Sequence, residues 1–294
     1  MFIDIHVHTI KRPGYPRLGD KMSYATPPQL IAGYDEIGVE AACLLPEMAP
    51  ECATSLMNPE DVLDICAEYP GRFIPFCNID PRFLSNSPYA PLGDMAKYYR
   101  DLGCKGVGEV TANLRILDPL LQNLFKGVEE SGLPLTFHLS PYVGHDYGLV
   151  DDAGLPGLEL SLQRFPNLKF FGHSQTFWAE IGPIKSREER FGYPKGPIEE
   201  EGAIVRLMRK YPNLYGDLSA GSGFNAVSRD RKFGIQFMTE FQDRLMFGTD
   251  ICQPTMPTLR PLANYLKELR ASGEISETVF QKIARENAIR LLKL

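Results

Sequence analysis

Histidines and carboxylates at recurring places in apolar segments are the first chemistry this chain offers. The opening MFIDIHVHTI is apolar at Phe2, Ile3, Ile5, Val7 and Ile10, yet Asp4, His6 and His8 fall on alternate positions. Alternate positions of a strand share a face, and two residues span about 6.6 Å, so both imidazoles can reach one ion. Unpartnered burial of such groups is costly, so that face needs something opposite it. Further along, Glu109, His138, His173 and Asp250 fall near the ends of the apolar runs CKGVGEV, LPLTFHLS, LKFFGHS and RLMFGTD. A lone strand histidine is ordinarily a satisfied core or loop group. Here four of the chain's five histidines share one kind of position with two carboxylates. That makes an N/O donor set suited to Zn²⁺, Mn²⁺ or Fe²⁺.

The elements that must position these groups have a regular rhythm. Strand candidates read FIDIHVH, EAACLLP, RFIPFCNID, CKGVGEV, LPLTFHLS, LKFFGHS, NLYGDLS and RLMFGTD. Amphipathic stretches at helical spacing lie between them, such as PEDVLDICAEY, PLLQNLFKGVEESG, LPGLELSLQRF and AIVRLMRKY, and a helical tail follows from about Thr258 to Leu294. Strand and helix in alternation imply parallel pairing, and eight such units predict a (β/α)8 TIM-type barrel, as one domain over residues 1–294. Joints from helix to strand are short (YPGR, LGCK, SGLP, FPN), whereas those from strand to helix are long: 9–26, 46–58, 80–91, 140–156 and 174–197. In such barrels the long loops surround the active site at the strands' C-terminal ends, where the histidines and carboxylates also fall.

Composition sets outer bounds. The chain has 294 residues, 44% hydrophobic and 23% charged, with a net charge of −6. No basic surface points to nucleic acid or an anionic membrane, so a small-molecule substrate is the expected partner. Six cysteines without a C-x-x-C pair, several inside apolar runs, fit reduced thiols. No leader-like segment opens the chain and no apolar run approaches membrane-spanning length, which makes a cytoplasmic location the expectation. A homo-oligomer is compatible with all of this.

The motifs DIHVH, TFHLS, FPNLKFFGHSQ and LMFGTD resemble the amidohydrolase superfamily, with spacing nearest its amidohydrolase-2 branch, which also contains aromatic-acid decarboxylases. The resemblance runs over essentially the whole chain. KGVGE is a weaker sign, similar to the strand-4 glutamate of TatD-type deoxyribonucleases. The resemblance implies a distorted barrel with one or two divalent ions, zinc first and manganese or iron(II) as alternatives, and a bound hydroxide. By position, His6, His8 and Asp250 would hold one ion. His138 and His173 would hold or flank a second, with Glu109 bridging. Many members bridge with a carboxylated lysine on strand 4; here Lys105 is at that strand's other end and Glu109 is at the mouth. Asp250 resembles the general base, and His173 is the other catalytic candidate. Asp4 either orients an imidazole or a loop, or is purely structural. The leading expectation is a hydrolase of an amide, lactone or ester, the alternative a decarboxylase of an aromatic or unsaturated acid, and more distantly a TatD-like nuclease.

Substrate contacts must come from the loops. His145, Tyr147, Trp178 and Arg115 are the candidates, with Trp178 expected as a lid or pocket wall. Any one of Arg17, Lys185, Arg187 or Arg190 is better read as a solvated charge. SAGSGFNAVSRD matches neither G-x-G-x-x-G nor a P-loop and is expected to turn the backbone near the site after Asp217 and Ser219. No G-x-S-x-G elbow is present. Phe and Met in FGIQFMTEF have the spacing of a helix core.

Overall fold

Proline and glycine punctuate the chain as the sequence leads one to expect. A proline opens helix α1 (Pro27–Ile37), α2 (Pro59–Glu68) and α4 (Pro119–Ser131), where a missing N–H costs nothing. Gly38 and Gly132 end α1 and α4 in the left-handed conformation, and the next strand starts at Val39 in the first case and at Leu135 in the second. The computed structural model describes residues 1–17, 21–52, 54–144 and 146–294. Its strands are β1 (Phe2–Val7), β2 (Val39–Leu44), β3 (Phe73–Pro75), β4 (Val107–Val110), β5 (Leu135–Ser140), β6 (Leu149–Val150), β7 (Phe170–His173), β8 (Leu214–Asp217) and β9 (Leu245–Met246). Besides those named, the helices are α3 (Leu92–Asp101), α5 (Pro156–Arg164), α6 (Gln175–Ala179), α7 (Arg187–Arg190), α8 (Ala203–Lys210), α9 (Ala220–Ser228), α10 (Arg231–Glu240), α11 (Pro261–Ala271), α12 (Glu277–Gln281) and α13 (Asn287–Leu292).

All pairing is parallel. One sheet runs β1-β2-β3 and the other β4-β5-β7-β8-β9, with short β6 beside β5. Two seams join the sheets without a continuous ladder. At the first, Cys77 pairs with Val107 and exchanges bonds with Gly106 and Gly108. At the second, Val7 pairs with Ile251, and Asp250 N–H donates to the His6 carbonyl at 2.8 Å. The fold is therefore a parallel α/β barrel left open at its seams. Eight of the nine strands are those read from the sequence; β6 is the addition, inside the long loop after β5.

The C-terminal region differs from a single helical tail. A π turn over Lys282–Glu286 joins α12 to α13. The Ile283 carbonyl accepts Phe247 N–H at 2.9 Å, so this wider turn fastens the strand leading to Asp250. Ala288, Leu291 and Leu292 of α13 then pack on Ile3, Ile5, Phe171 and Met246. The glycine-rich SAGSGFNAVS, expected as a turn, forms α9. A Cβ at Gly223 would lie 2.3 Å from the Leu218 carbonyl, so glycine serves there to let α9 pack closely on its own entry strand. Phe237 and Met238 of α10 are buried, as their spacing predicts. The six cysteines are free thiols, and among the described residues no helix is long and apolar enough to cross a membrane.

Candidate metal centre

Four strand ends deliver the donors. β1 supplies His6 and, just past its end, His8, whose N–H donates to Ile251 O at 3.0 Å. β4 supplies Glu109, β7 ends on His173, and Asp250 follows β9. Asp250 has φ +52°, a conformation that aspartate tolerates better than most residues, and this swings its carboxylate toward β1. Asp4 fixes that turn. Its Oδ1 accepts the backbone N–H groups of His6 and Thr249 at 3.0 and 2.9 Å, and its Oδ2 accepts the Tyr34 hydroxyl at 2.7 Å and the Thr249 hydroxyl. Of the two roles foreseen for Asp4, orienting a loop is the one the contacts describe. Burial pushes its carboxyl up to about 6, with the four donors opposing that rise.

The donor atoms crowd one small volume. His6 Nε2 and His8 Nε2 are 3.0 Å apart. Glu109 Oε2 lies 3.7 Å from the first and 3.6 Å from the second, while Asp250 Oδ1 lies 3.8 and 3.6 Å from them. His173 Nε2 is 3.7 Å from Glu109 Oε1 and 3.6 Å from Asp250 Oδ2. Donors about 2.0–2.2 Å from a common ion are separated by roughly 3–4 Å, which covers every one of these spacings. Two triplets satisfy the reach of a single ion, His6/Glu109/His173 and His6/His8/Asp250. Asp250 is the most accessible member, its side chain 21% exposed against 5% or less for His6, His8, Glu109 and His173.

The far ring nitrogens are also occupied. His6 Nδ1 is 2.6 Å from Asp217 Oδ2, His8 Nδ1 is 2.9 Å from Leu45 O, and His173 Nδ1 is 2.9 Å from Ser219 Oγ. A ligand imidazole ordinarily uses its second nitrogen in this way, so the residues present fit a divalent ion. Burial disfavours the His6 imidazolium, but the charges of Asp217 and Glu109 outweigh it and raise His6 well above the usual histidine range. Burial likewise opposes ionisation of Glu109, yet His138 and His6 hold its carboxyl well below the usual range. His173 is lowered, by burial and by the His6 charge.

The sequence candidates separate here. His6, His8, Glu109, His173 and Asp250 are brought together. His138 joins neither triplet; its Nδ1 lies 2.8 Å from Glu109 Oε1, so it holds the glutamate. Tyr147 reaches the site, its ring packed on His138 at 4.6 Å between centroids. Trp178 does not line the mouth. It is buried against Phe177 and Phe237, and its indole N–H donates to Asp217 O at 2.8 Å, so it lies beneath the ligands as core. Arg115 is exposed and sits 3.7 Å from Asp152, a contact on the outer loop with no part in the donor cluster. His145 lies outside the described residues. Arg190, read as a surface charge, is buried, with Nε donating to Glu180 at 2.7 Å. Three residues went unassigned: Asp217, Ser219 and Glu47, whose Oε1 is 3.5 Å from His8 Nδ1. Asp217 ends its strand in NLYGDLS just as the assigned residues end theirs, so the same rule could have found it.

A family model described as Amidohydrolase matches residues 3–294. The chain belongs to the amidohydrolase family. Comparison with curated proteins gives no match. Among solved structures, this amidohydrolase-family chain is similar to an uncharacterized TIM-barrel protein from Bordetella bronchiseptica, at 18% identity, covering 99% and 98% of the two chains with a TM-score of 0.67. It is also similar to a probable 2-pyrone-4,6-dicarboxylic acid hydrolase from Acinetobacter baumannii with citric acid bound (13%, 100% and 99%, 0.56). A third is 5-carboxyvanillate decarboxylase from Novosphingobium aromaticivorans complexed with manganese and 4-hydroxy-3-methoxy-5-nitrobenzoic acid (18%, 90% and 80%, 0.57). At such identities the likeness establishes the TIM-barrel fold.

Proposed function

We propose that this chain is a metal-dependent hydrolase acting on an ester, lactone or amide of a small molecule. The observation supporting it is the convergence of three imidazole nitrogens and two carboxylates on one spot, with Asp250 the member open to an incoming molecule. A divalent ion bound there, zinc first and manganese or iron(II) as alternatives, would polarise a carbonyl and make a nearby water more acidic. The residues supply the rest. Asp250 accepts the proton of the attacking water and returns it to the leaving oxygen or nitrogen. His173, with Nε2 3.6 Å from Asp250 Oδ2, holds the ion or passes that proton on. Glu109, kept ionised by His138, adds negative charge that favours a cation, and the buried walls strengthen that attraction. His6 has one nitrogen to give, because the other faces Asp217, and both triplets use His6; one ion is therefore the simpler occupancy.

The likeness to a decarboxylase favours a second reading, loss of carbon dioxide from an aromatic acid with no attack by water. Reaction of metal-loaded protein in ¹⁸O-labelled and deuterated water separates the two. Hydrolysis places ¹⁸O in the product acid; decarboxylation releases carbon dioxide and places deuterium on carbon. Asp250→Asn is expected to lower turnover by about 10²-fold or more, and full turnover in that variant would remove its assigned role.

A further inference from the structure

We infer that Asp217 sets the tautomers of His6 and His173 so that both Nε2 lone pairs face one spot, and that an amide at position 217 reverses this for His6. The inference rests on the metal-centre reading for its consequence, though not for its geometry. Asp217 ends β8 fully buried, and its main-chain carbonyl is held by Trp178. Its Oδ1 accepts the Ser219 N–H at 2.9 Å, while its Oδ2 faces two imidazoles, His6 Nδ1 at 2.6 Å and His173 Nδ1 at 3.5 Å. One carboxylate oxygen thus serves histidines from two different strands.

An ionised carboxylate only accepts, so the 2.6 Å contact requires the hydrogen on His6 Nδ1. In the neutral ring that leaves Nε2 as the lone pair, on the side of His8, Glu109 and Asp250. For His173 the nearer partner is the Ser219 hydroxyl at 2.9 Å, which can donate or accept, so that contact by itself allows either tautomer. The Asp217 charge on the same side settles it in favour of N–H at Nδ1. Asp217 is in this sense a positioning residue for two ligands.

The structure also fixes how asparagine would sit at 217. Ser219 N–H needs an acceptor where Oδ1 now lies, so the amide oxygen takes that place and the NH₂ falls at the Oδ2 position. Its hydrogens then point at both Nδ1 atoms. His6 must accept there and carry its own proton on Nε2, where a cation has to bind. A near-isosteric change therefore damages the site by reversing polarity, the logic by which an Asp→Asn change in a Ser-His-Asp triad produces the wrong tautomer. Alanine at 217 leaves His6 free to choose and is the milder lesion for metal affinity.

With only five histidines, long-range ¹H–¹⁵N correlation on histidine-labelled, metal-free protein at alkaline pH resolves the tautomers directly. The expected wild-type result is the Nδ1–H pattern for His6 and His173. D217N should move His6 to Nε2–H and weaken Mn²⁺ binding, measured by titration calorimetry, by about 10–100-fold, with D217A less affected. S219A should leave His6 unchanged and keep His173 as Nδ1–H. An Nε2–H pattern for wild-type His6 overturns the inference, as does a D217N variant with the wild-type pattern and affinity within about twofold. The wild-type spectrum decides alone where D217N does not fold. Wild-type protein that shows both Nδ1–H patterns and yet binds neither Mn²⁺ nor Zn²⁺ upholds the tautomer assignment and overturns the metal reading.

Discussion

Replacing Asp4 by alanine strips the acceptor from four donors at once. Two of them, the hydroxyls of Tyr34 and Thr249, can rotate toward other partners. The other two, the backbone N–H groups of His6 and Thr249, cannot. A buried donor left unmade costs about 1–3 kcal/mol, so the two amides alone make D4A about 2–6 kcal/mol less stable. That is a large part of the roughly 5–15 kcal/mol that holds a typical protein folded. D4N should behave differently. Its oxygen can take the Oδ1 place, serving both amides, while its NH₂ takes the Oδ2 place and donates to hydroxyls able to accept. It also removes the cost of burying a charge that raises the Asp4 carboxyl to about 6. D4N should therefore lose only about 1–2 kcal/mol. Urea unfolding of metal-free protein, compared through midpoints at a common slope, measures both. D4A within about 1 kcal/mol of wild type, or D4N as damaging as D4A, would refute this account of Asp4 as the tie between β1 and the Asp250 turn.

Metal affinity should depend on pH with a definite sign. His6 is raised well above the ordinary histidine value, and His8 is raised too, so an incoming ion competes with protons on these two rings. Affinity then climbs by up to about tenfold per pH unit for each proton displaced, and flattens once the pH has passed the values of both rings. Calorimetry in buffers of different ionisation enthalpy counts those protons, and binding at pH 7 with none released would contradict the assignment. Gly148 offers a third test. It has φ +110°, and a Cβ there would meet His138 Cδ2 at 2.8 Å and His138 O at 3.0 Å. Gly148→Ala should cost about 1–3 kcal/mol and push His138 away from Glu109, seen as a lower melting temperature and weaker Mn²⁺ binding. An unchanged melt and unchanged affinity would show that the loop yields freely.

Much of the donor cluster was legible because its rule is local. A polar residue at the end of an apolar run is visible in FIDIHVH, LKFFGHS or RLMFGTD without knowing any partner, and in a parallel α/β fold such ends gather at one rim. The rule failed where a residue's function is defined by what it touches. His138 obeys it as well as His173 does, yet it turns to Glu109 and joins neither of the two triplets with the reach of an ion. Trp178 sits in a long-loop segment, as a pocket wall would, but it packs into the core because α6 starts directly after His173 and carries it under the sheet. SAGSGFNAVS looked like a turn because glycine propensity is read residue by residue, whereas the close approach of α9 to Leu218 requires glycine at 223.

The sequence by itself determined the alternation of strand and helix, the long loops at one end, and which residue types stand at that end, since periodicity, punctuation and composition are properties of the chain taken in order. Only the tertiary structure decided how the donors sort themselves. The 2.6 Å contact between His6 and Asp217 joins residues 211 positions apart, and Thr249 meets Asp4 across 245. Which nitrogen of an imidazole is left free depends on contacts like these. Hydrogen-bond direction is set by the atoms that face each other once the barrel has brought distant strands side by side, and no spacing along the chain encodes it.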